Sequence, residues 1–174
     1  RFGSQNKWGN FPAFSAGWRI SDESFMPELV WLNDLKIRGS WGITGNNNIG
    51  NYSSLSFMNP SNYVFNNNYA SGRIVSSFAN TELGWERSTQ TDIGIDLTAL
   101  DNQLTFSAEF YNRITTDMLL SIQLPAIAGF TSTLGNVGKV QNRGLEFSAG
   151  YRKKINAFTV WGNGNISFNK NKVL

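Results

Sequence analysis

The chain has 174 residues, 15 Lys and Arg against 12 Asp and Glu, a formal charge of +3 and an isoelectric point near 9.3. It contains no His and no Cys, which removes Ser-His-Asp and Cys-His nucleophile systems, zinc fingers, haem ligation by imidazole or thiolate, and any disulfide framework. The charge excess is small and spread over both signs, so it calls for no nucleic acid, and no apolar run approaches the roughly 18 residues of a spanning helix.

Along the chain, period-two alternation recurs in short segments and predicts six strands. In the first, Phe14, Ala16, Trp18 and Ile20 share one face and Ala13, Ser15, Gly17 and Arg19 the other. Residues 21–34 follow, with Ser21 ahead of Asp22 and Glu23 predicting a helical turn. The second strand sets Leu35, Ile37, Trp41 and Ile43 opposite Lys36, Arg38, Ser40 and Thr44. The segment 45–85 is dense in Asn and carries Tyr52, Phe57, Tyr63, Phe65, Tyr69 and Phe78, without periodicity. A loop of that length in a compact domain has work of its own, over a mouth or on a ligand.

The third strand, from about Glu86, places Thr91, Ile93, Ile95 and Leu97 against Gln90, Asp92, Gly94 and Asp96. After a turn at Asp101-Asn102-Gln103, the fourth sets Leu104, Phe106, Ala108 and Phe110 against Thr105, Ser107, Glu109, Tyr111 and Arg113. Residues 115–142 are expected to form a second long loop. The fifth strand places Leu145, Phe147, Ala149 and Tyr151 against Glu146, Ser148, Gly150 and Arg152. A turn is expected at residues 153–156, with Tyr151 opposite Phe158 and Phe147 covering Gly162. The sixth sets Phe158, Val160, Ile166 and Phe168 against Thr159, Trp161, Asn163, Asn165 and Ser167.

Within these alternating segments the charges fall on one face only. A soluble sandwich packs the apolar face on a second sheet, whereas an outer-membrane barrel turns it to lipid and lines its lumen with the polar face. The connections separate the two, because they alternate between short or moderate and very long, as in an up-and-down barrel with turns at one end and long loops at the other. Trp18, Ile37, Ile93, Ile95, Phe106, Phe110, Phe147 and Val160 are then expected towards lipid, and Lys36, Asp92, Glu109, Arg113 and Glu146 towards the lumen. Six strands cannot close such a barrel, for which eight is the usual minimum. Both ends read as cut from a longer chain, and an open sheet is expected. The alternative is a surface or secreted β-sandwich that binds glycans without transport.

The residues offer little catalytic chemistry. Asp92 and Asp96 share a strand face but stand roughly 13 Å apart, beyond the 5 to 9.5 Å of glycosidic mechanisms. Asp92, Glu109 and Arg113 are read instead as a lumenal polar network, Arg113 neutralising Glu109. Gly162-Asn163-Gly164 lies within a strand with no P-loop lysine after it. No catalytic residue, metal site or cofactor is assigned. Tyr63, Phe65 and Tyr69 are the candidates for contact with a ligand or partner, since aromatic faces with polar edges suit both sugars and protein surfaces.

Several strings resemble the SusC/RagA family of TonB-linked outer-membrane transporters. They are Arg1-Phe2-Gly3 with the run from Trp8 to Ser21, Leu35 to Gly42 with Thr44-Gly45-Asn46, Leu83-Gly84-Trp85-Glu86 on to Leu97, Asn136 to Val140 with Asn142 to Phe147, and Ser167 to Asn171. They cover nearly the whole chain in the family's order. The resemblance implies that residues 1–174 are part of a β-barrel domain whose plug and remaining strands lie elsewhere. It also implies import of oligosaccharides or peptides across the Gram-negative outer membrane, a SusD-like surface lipoprotein as partner, and energy from TonB.

Overall fold

The structure, a computed structural model, describes residues 2, 3 and 5–174. Arg1 of the first family-like string, with Ser4, lies outside the described residues. Eight strands follow in order: β1 (Ala13–Arg19), β2 (Leu32–Asn46), β3 (Met58–Phe65), β4 (Asn68–Val75), β5 (Glu86–Ala99), β6 (Leu104–Gln123), β7 (Ser132–Ile155) and β8 (Phe158–Val173). Six of them form one sheet in the order β1-β2-β5-β6-β7-β8, while β3 and β4 pair separately.

The alternation places the faces as the sequence predicts. Antiparallel β1 and β2 set Phe14 against Trp41, their rings stacked at 6.1 Å, and Trp18 against Ile37. Ser15 faces Ser40 and Gly17 faces Arg38 on the other side. Across β6 and β7, Phe106 stacks on Phe147 at 6.5 Å, while Ser107 and Ser148 hydroxyls share a hydrogen bond at 2.8 Å. The apolar face stays exposed, Trp18 by 50%, Ile93 by 54% and Val160 by 56%. A sandwich would bury these residues under a second sheet, so that alternative fails. β1 and β8 end the strand order without pairing to each other, which is the open sheet expected of a partial barrel.

Three expectations need correction. Residues 115–142 are mostly strand rather than loop: β6 runs for 20 residues and β7 for 24, leaving a connection of residues 124–131. That connection turns through a short 3-10 segment, Ala126–Ala128, and Gly129 at φ 76°, a conformation glycine adopts without strain. The β7-β8 turn is also tighter than expected. Asn156, at φ 55°, makes it with Ala157, so Lys153, Lys154 and Ile155 continue the strand. Ile155 then pairs with Phe158, Tyr151 lies opposite Gly162, and Phe147 opposite Ile166. Finally, segment 45–85 contains the β3-β4 hairpin. Asn66 and Asn67, at φ 46° and 63°, close its two-residue turn, the left-handed pair such hairpins require. The helical turn after β1 is a single 3-10 turn, Ile20–Asp22.

The chain divides into two compact units. One comprises Phe11–Thr44, Ser88–Ile114 and Val140–Leu174, the two-faced part of the sheet. The other comprises Arg1–Asn10, Gly45–Arg87 and Thr115–Lys139 and holds a small core of Phe2, Ile49 and fully buried Leu83. Trp85, Leu119 and Leu134 pack against that core, the Phe2 and Trp85 rings 5.2 Å apart.

Candidate functional site

On the polar face of the sheet, Arg38 of β2 organises the charges. Its Nε donates to Asp96 Oδ2 of β5 at 3.1 Å, and its Nη2 donates to Glu109 Oε2 of β6. The guanidinium therefore passes over β5. Gly94 makes that passage possible, because a Cβ there would stand 2.8 Å from Arg38 Cζ and 2.9 Å from Nη2. Two strand spacings amount to about 10 Å, which an extended arginine covers. Asp92 accepts from Ser40 Oγ at 2.9 Å and Gln90 Nε2 at 2.8 Å.

Arg113 donates instead to Ser88 Oγ at 3.2 Å. It sits four residues from Glu109 on the same strand, about 13 Å away, and Arg38 takes the carboxylate that the sequence reading gave to Arg113. Asp92, Glu109 and Arg113 thus share a face without bonding to one another among the described hydrogen bonds. Arg38 was legible only as a polar-face residue. The signal that could have found it is Gly94, a residue without a side chain flanked on its own face by Asp92 and Asp96. A cleft of about 350 Å³ opens beside the cluster, lined by Ser15, Gly17, Lys36, Arg38, Ser40 and Asp92.

The aromatic candidates lie on the β3-β4 hairpin. Tyr63, Phe65 and Tyr69 are 65%, 68% and 84% exposed. Tyr63 and Phe65 stack at 6.2 Å on one face, and their cross-strand partners Ala70 and Asn68 are too small to cover them. Tyr69 pairs with Val64 and so takes the opposite face. The structure therefore brings two of the three together and separates the third.

In the same unit, asparagine amides tie the segments down. Asn136 Nδ2 donates to the Gly84 and Asp117 carbonyls at 3.0 and 2.7 Å, and its Oδ1 accepts from Gly84 N at 2.9 Å. Asn6 Nδ2 donates to the Glu82 carbonyl at 3.0 Å and Asn80 Nδ2 to the Leu134 carbonyl at 2.8 Å. The strings around Leu83 and Asn136 are thus each other's partners.

A two-faced antiparallel sheet of long strands with an exposed apolar side has few homes outside a membrane barrel, and comparison with known proteins decides among them. The family model described as TonB dependent receptor-like, beta-barrel matches residues 1–173. The chain belongs to this family. TonB-dependent receptor P39 of Formosa agariphila is 39% identical over 175 residues, covering all of this chain and 17% of that protein. TonB-dependent receptor SusC of Bacteroides thetaiotaomicron is 34% identical, covering 99% of this chain and 18% of that protein. Among solved structures, the RagAB peptide importer in its open-open state superposes with a TM-score of 0.89 at 33% identity, over 99% of this chain and 19% of that one. The chain spans less than a fifth of the length of these relatives.

As a TonB-dependent receptor barrel segment of the SusC/RagA type, the protein belongs in the outer membrane. The exposure of Trp18, Ile93, Ile95, Phe110 and Val160 has its reason there, since lipid covers what water would penalise. Crossing takes only about 9–11 residues of tilted strand, so much of β6 and β7 extends past the bilayer.

Proposed function

We propose that this chain forms part of the wall of a TonB-dependent transporter that imports oligosaccharides or peptides, with a SusD-like surface lipoprotein as partner and TonB as the source of energy. The single observation that carries the reading is the sheet itself, an exposed apolar face backed by a charged face organised around Arg38. The SusC and RagAB likenesses support its direction. On this reading residues 1–174 are one partial barrel domain. β1 and β8 pair with strands outside it, because unpaired backbone in hydrocarbon costs several kcal/mol per group. The wall contributes a conduit rather than a catalyst, and Tyr63, Phe65 and Tyr69 meet ligand or lid.

The test uses the intact transporter in cells. Uptake should cease when TonB is removed, and deleting Asn59–Ser71 should impair uptake or capture of the lipoprotein while the barrel stays inserted and heat-stable. TonB-independent uptake would overturn the transport reading. Normal uptake by the deletion variant would take the hairpin out of the mechanism, and failure to insert would make its role structural.

A further inference from the structure

The lipid-side face of the sheet stops being apolar before its strands end. Phe147 pairs with Ile166 on that face, and the alternation running from them towards the long connections adds Leu145 with Phe168, Arg143 with Lys170, and Gln141 with Lys172. Asn112 of β6 lies on the same side, since Gln141 Nε2 donates to its Oδ1 at 2.8 Å. Gly144 faces the other way, where a Cβ would meet the Tyr111 ring of the polar face. Three basic side chains, all exposed, thus stand together on the outside of the wall, beyond the alternating segments in which the charges keep to the polar face.

Their depth follows from the register. Towards the short turns the same face carries Ala149 with Gly164 and Tyr151 with Gly162, and no charge until Lys153 with Val160. Arg143 and Lys153 stand ten residues apart on β7, about 33 Å of strand, which at a tilt of about 40° spans a depth of roughly 25 Å. That is the height of a barrel's lipid-facing band. The basic group therefore sits at the headgroup level of one leaflet, on the side of the long connections, which in an outer-membrane barrel is the outer leaflet.

The charges at this level do not cancel. Arg143 faces Lys170 directly, with Cβ atoms about 5 Å apart, and like charges so placed cost stability when nothing offsets them. Lys172 follows one alternation on, about 7 Å along β8. No ion pair among the described residues involves any of the three, and this face of β7 and β8 carries no carboxylate along their pairing. A phosphate supplies the offset: a guanidinium fork takes two of its oxygens, and an ammonium adds a point charge. Just below, Leu145 and Phe168, 44% and 57% exposed, lie at the level of acyl chains. The ligand that fits is amphiphilic, with phosphate above and hydrocarbon below, which is the form of the outer leaflet's glycolipid, built on a phosphorylated glucosamine disaccharide.

We propose that Arg143, Lys170 and Lys172 form a binding site, on the outside of the barrel wall, for the phosphate-bearing headgroup of the outer-leaflet glycolipid. The amides of Gln141 and Asn112 beside them offer partners to its sugar hydroxyls. The site depends on the place of the barrel in the outer membrane and not on what the barrel carries.

The full-length protein, purified in an uncharged detergent and dye-labelled, is titrated with lipid A and with lipid A stripped of its phosphates, binding being followed by thermophoresis. Lipid A should bind about ten- to a hundredfold more tightly than the stripped form. Arg143→Gln, Lys170→Gln and Lys172→Gln together should abolish that preference. Lys170→Gln alone should lower it several-fold, and it decides the matter if the triple variant fails to insert. Lys153→Gln, at the other edge of the apolar band, should leave it unchanged. Equal binding of the two lipids, a preference that survives the triple variant or the single one undiminished, or an equal loss in Lys153→Gln would each overturn the site. So would a triple variant that keeps the preference and loses association between copies, since the patch would then be a contact between two copies of this chain. Binding is read without TonB or cargo, so it stands apart from the uptake assay that tests transport.

Discussion

Replacing Gly94 by Ala tests whether the wall's charge cluster depends on a missing side chain. The added methyl would stand 2.8 to 3.0 Å from the Arg38 guanidinium, and the guanidinium gives way more easily than the strand. Displaced, it loses Asp96 and Glu109. Arg38, Asp96 and Glu109 side chains are 35%, 39% and 29% exposed, so each pair is worth about 0.5–1 kcal/mol and the two about 1–2 kcal/mol. Against that loss, Ala in place of Gly in a strand gains about 0.5–1 kcal/mol. Gly94→Ala should therefore be neutral or destabilise by up to about 1.5 kcal/mol in the otherwise unchanged protein. In an Arg38→Met background nothing remains to displace, and the same substitution should stabilise by about 0.5–1 kcal/mol. The difference is a coupling of about 1–2 kcal/mol, within the range for residues in contact. Urea titration of the full-length protein folded into lipid vesicles, followed by tryptophan fluorescence and by gel mobility of unheated samples, measures it. An identical effect of Gly94→Ala in both backgrounds would refute the argument.

Two further predictions follow from the faces and the glycines. Ile95→Arg, on the exposed apolar face, should cost about 2–4 kcal/mol if it sits near the bilayer midplane, whereas Ser107→Lys on the polar face should cost far less; equal costs in the same titration would mean that the faces are misassigned. Gly144→Ala should destabilise by about 1–3 kcal/mol, because its Cβ would collide with the Phe168 carbonyl and the Tyr111 ring. Gly164→Ala meets nothing within 4 Å and should leave the urea midpoint unchanged or slightly raised.

Alternation made the sheet legible before any coordinates: six strands, the face of each residue within them, and the incomplete closure all follow from a period of two, which is a local property of the chain. The connection lengths pointed to a membrane barrel, and the family strings agreed. The same logic failed where two-facedness lapses. Beyond the bilayer, β6 and β7 need no apolar side, and Asp117 at φ 56° disturbs the alternation within β6, so the twenty strand residues in 115–123 and 132–142 read as loop. The Asn66-Asn67 turn was a signal for the hairpin that the surrounding asparagines masked.

What the sequence determined by itself is therefore which way each residue of the alternating strands faces. What only the tertiary structure decided is which residues meet: that Arg38 rather than Arg113 reaches Glu109, that Tyr151 rather than Phe147 lies opposite Gly162, and that Asn136 holds Gly84. Facing is set within one strand by backbone geometry. Meeting depends on register and on bare positions such as Gly94, and a shift of two residues keeps every face while changing every partner.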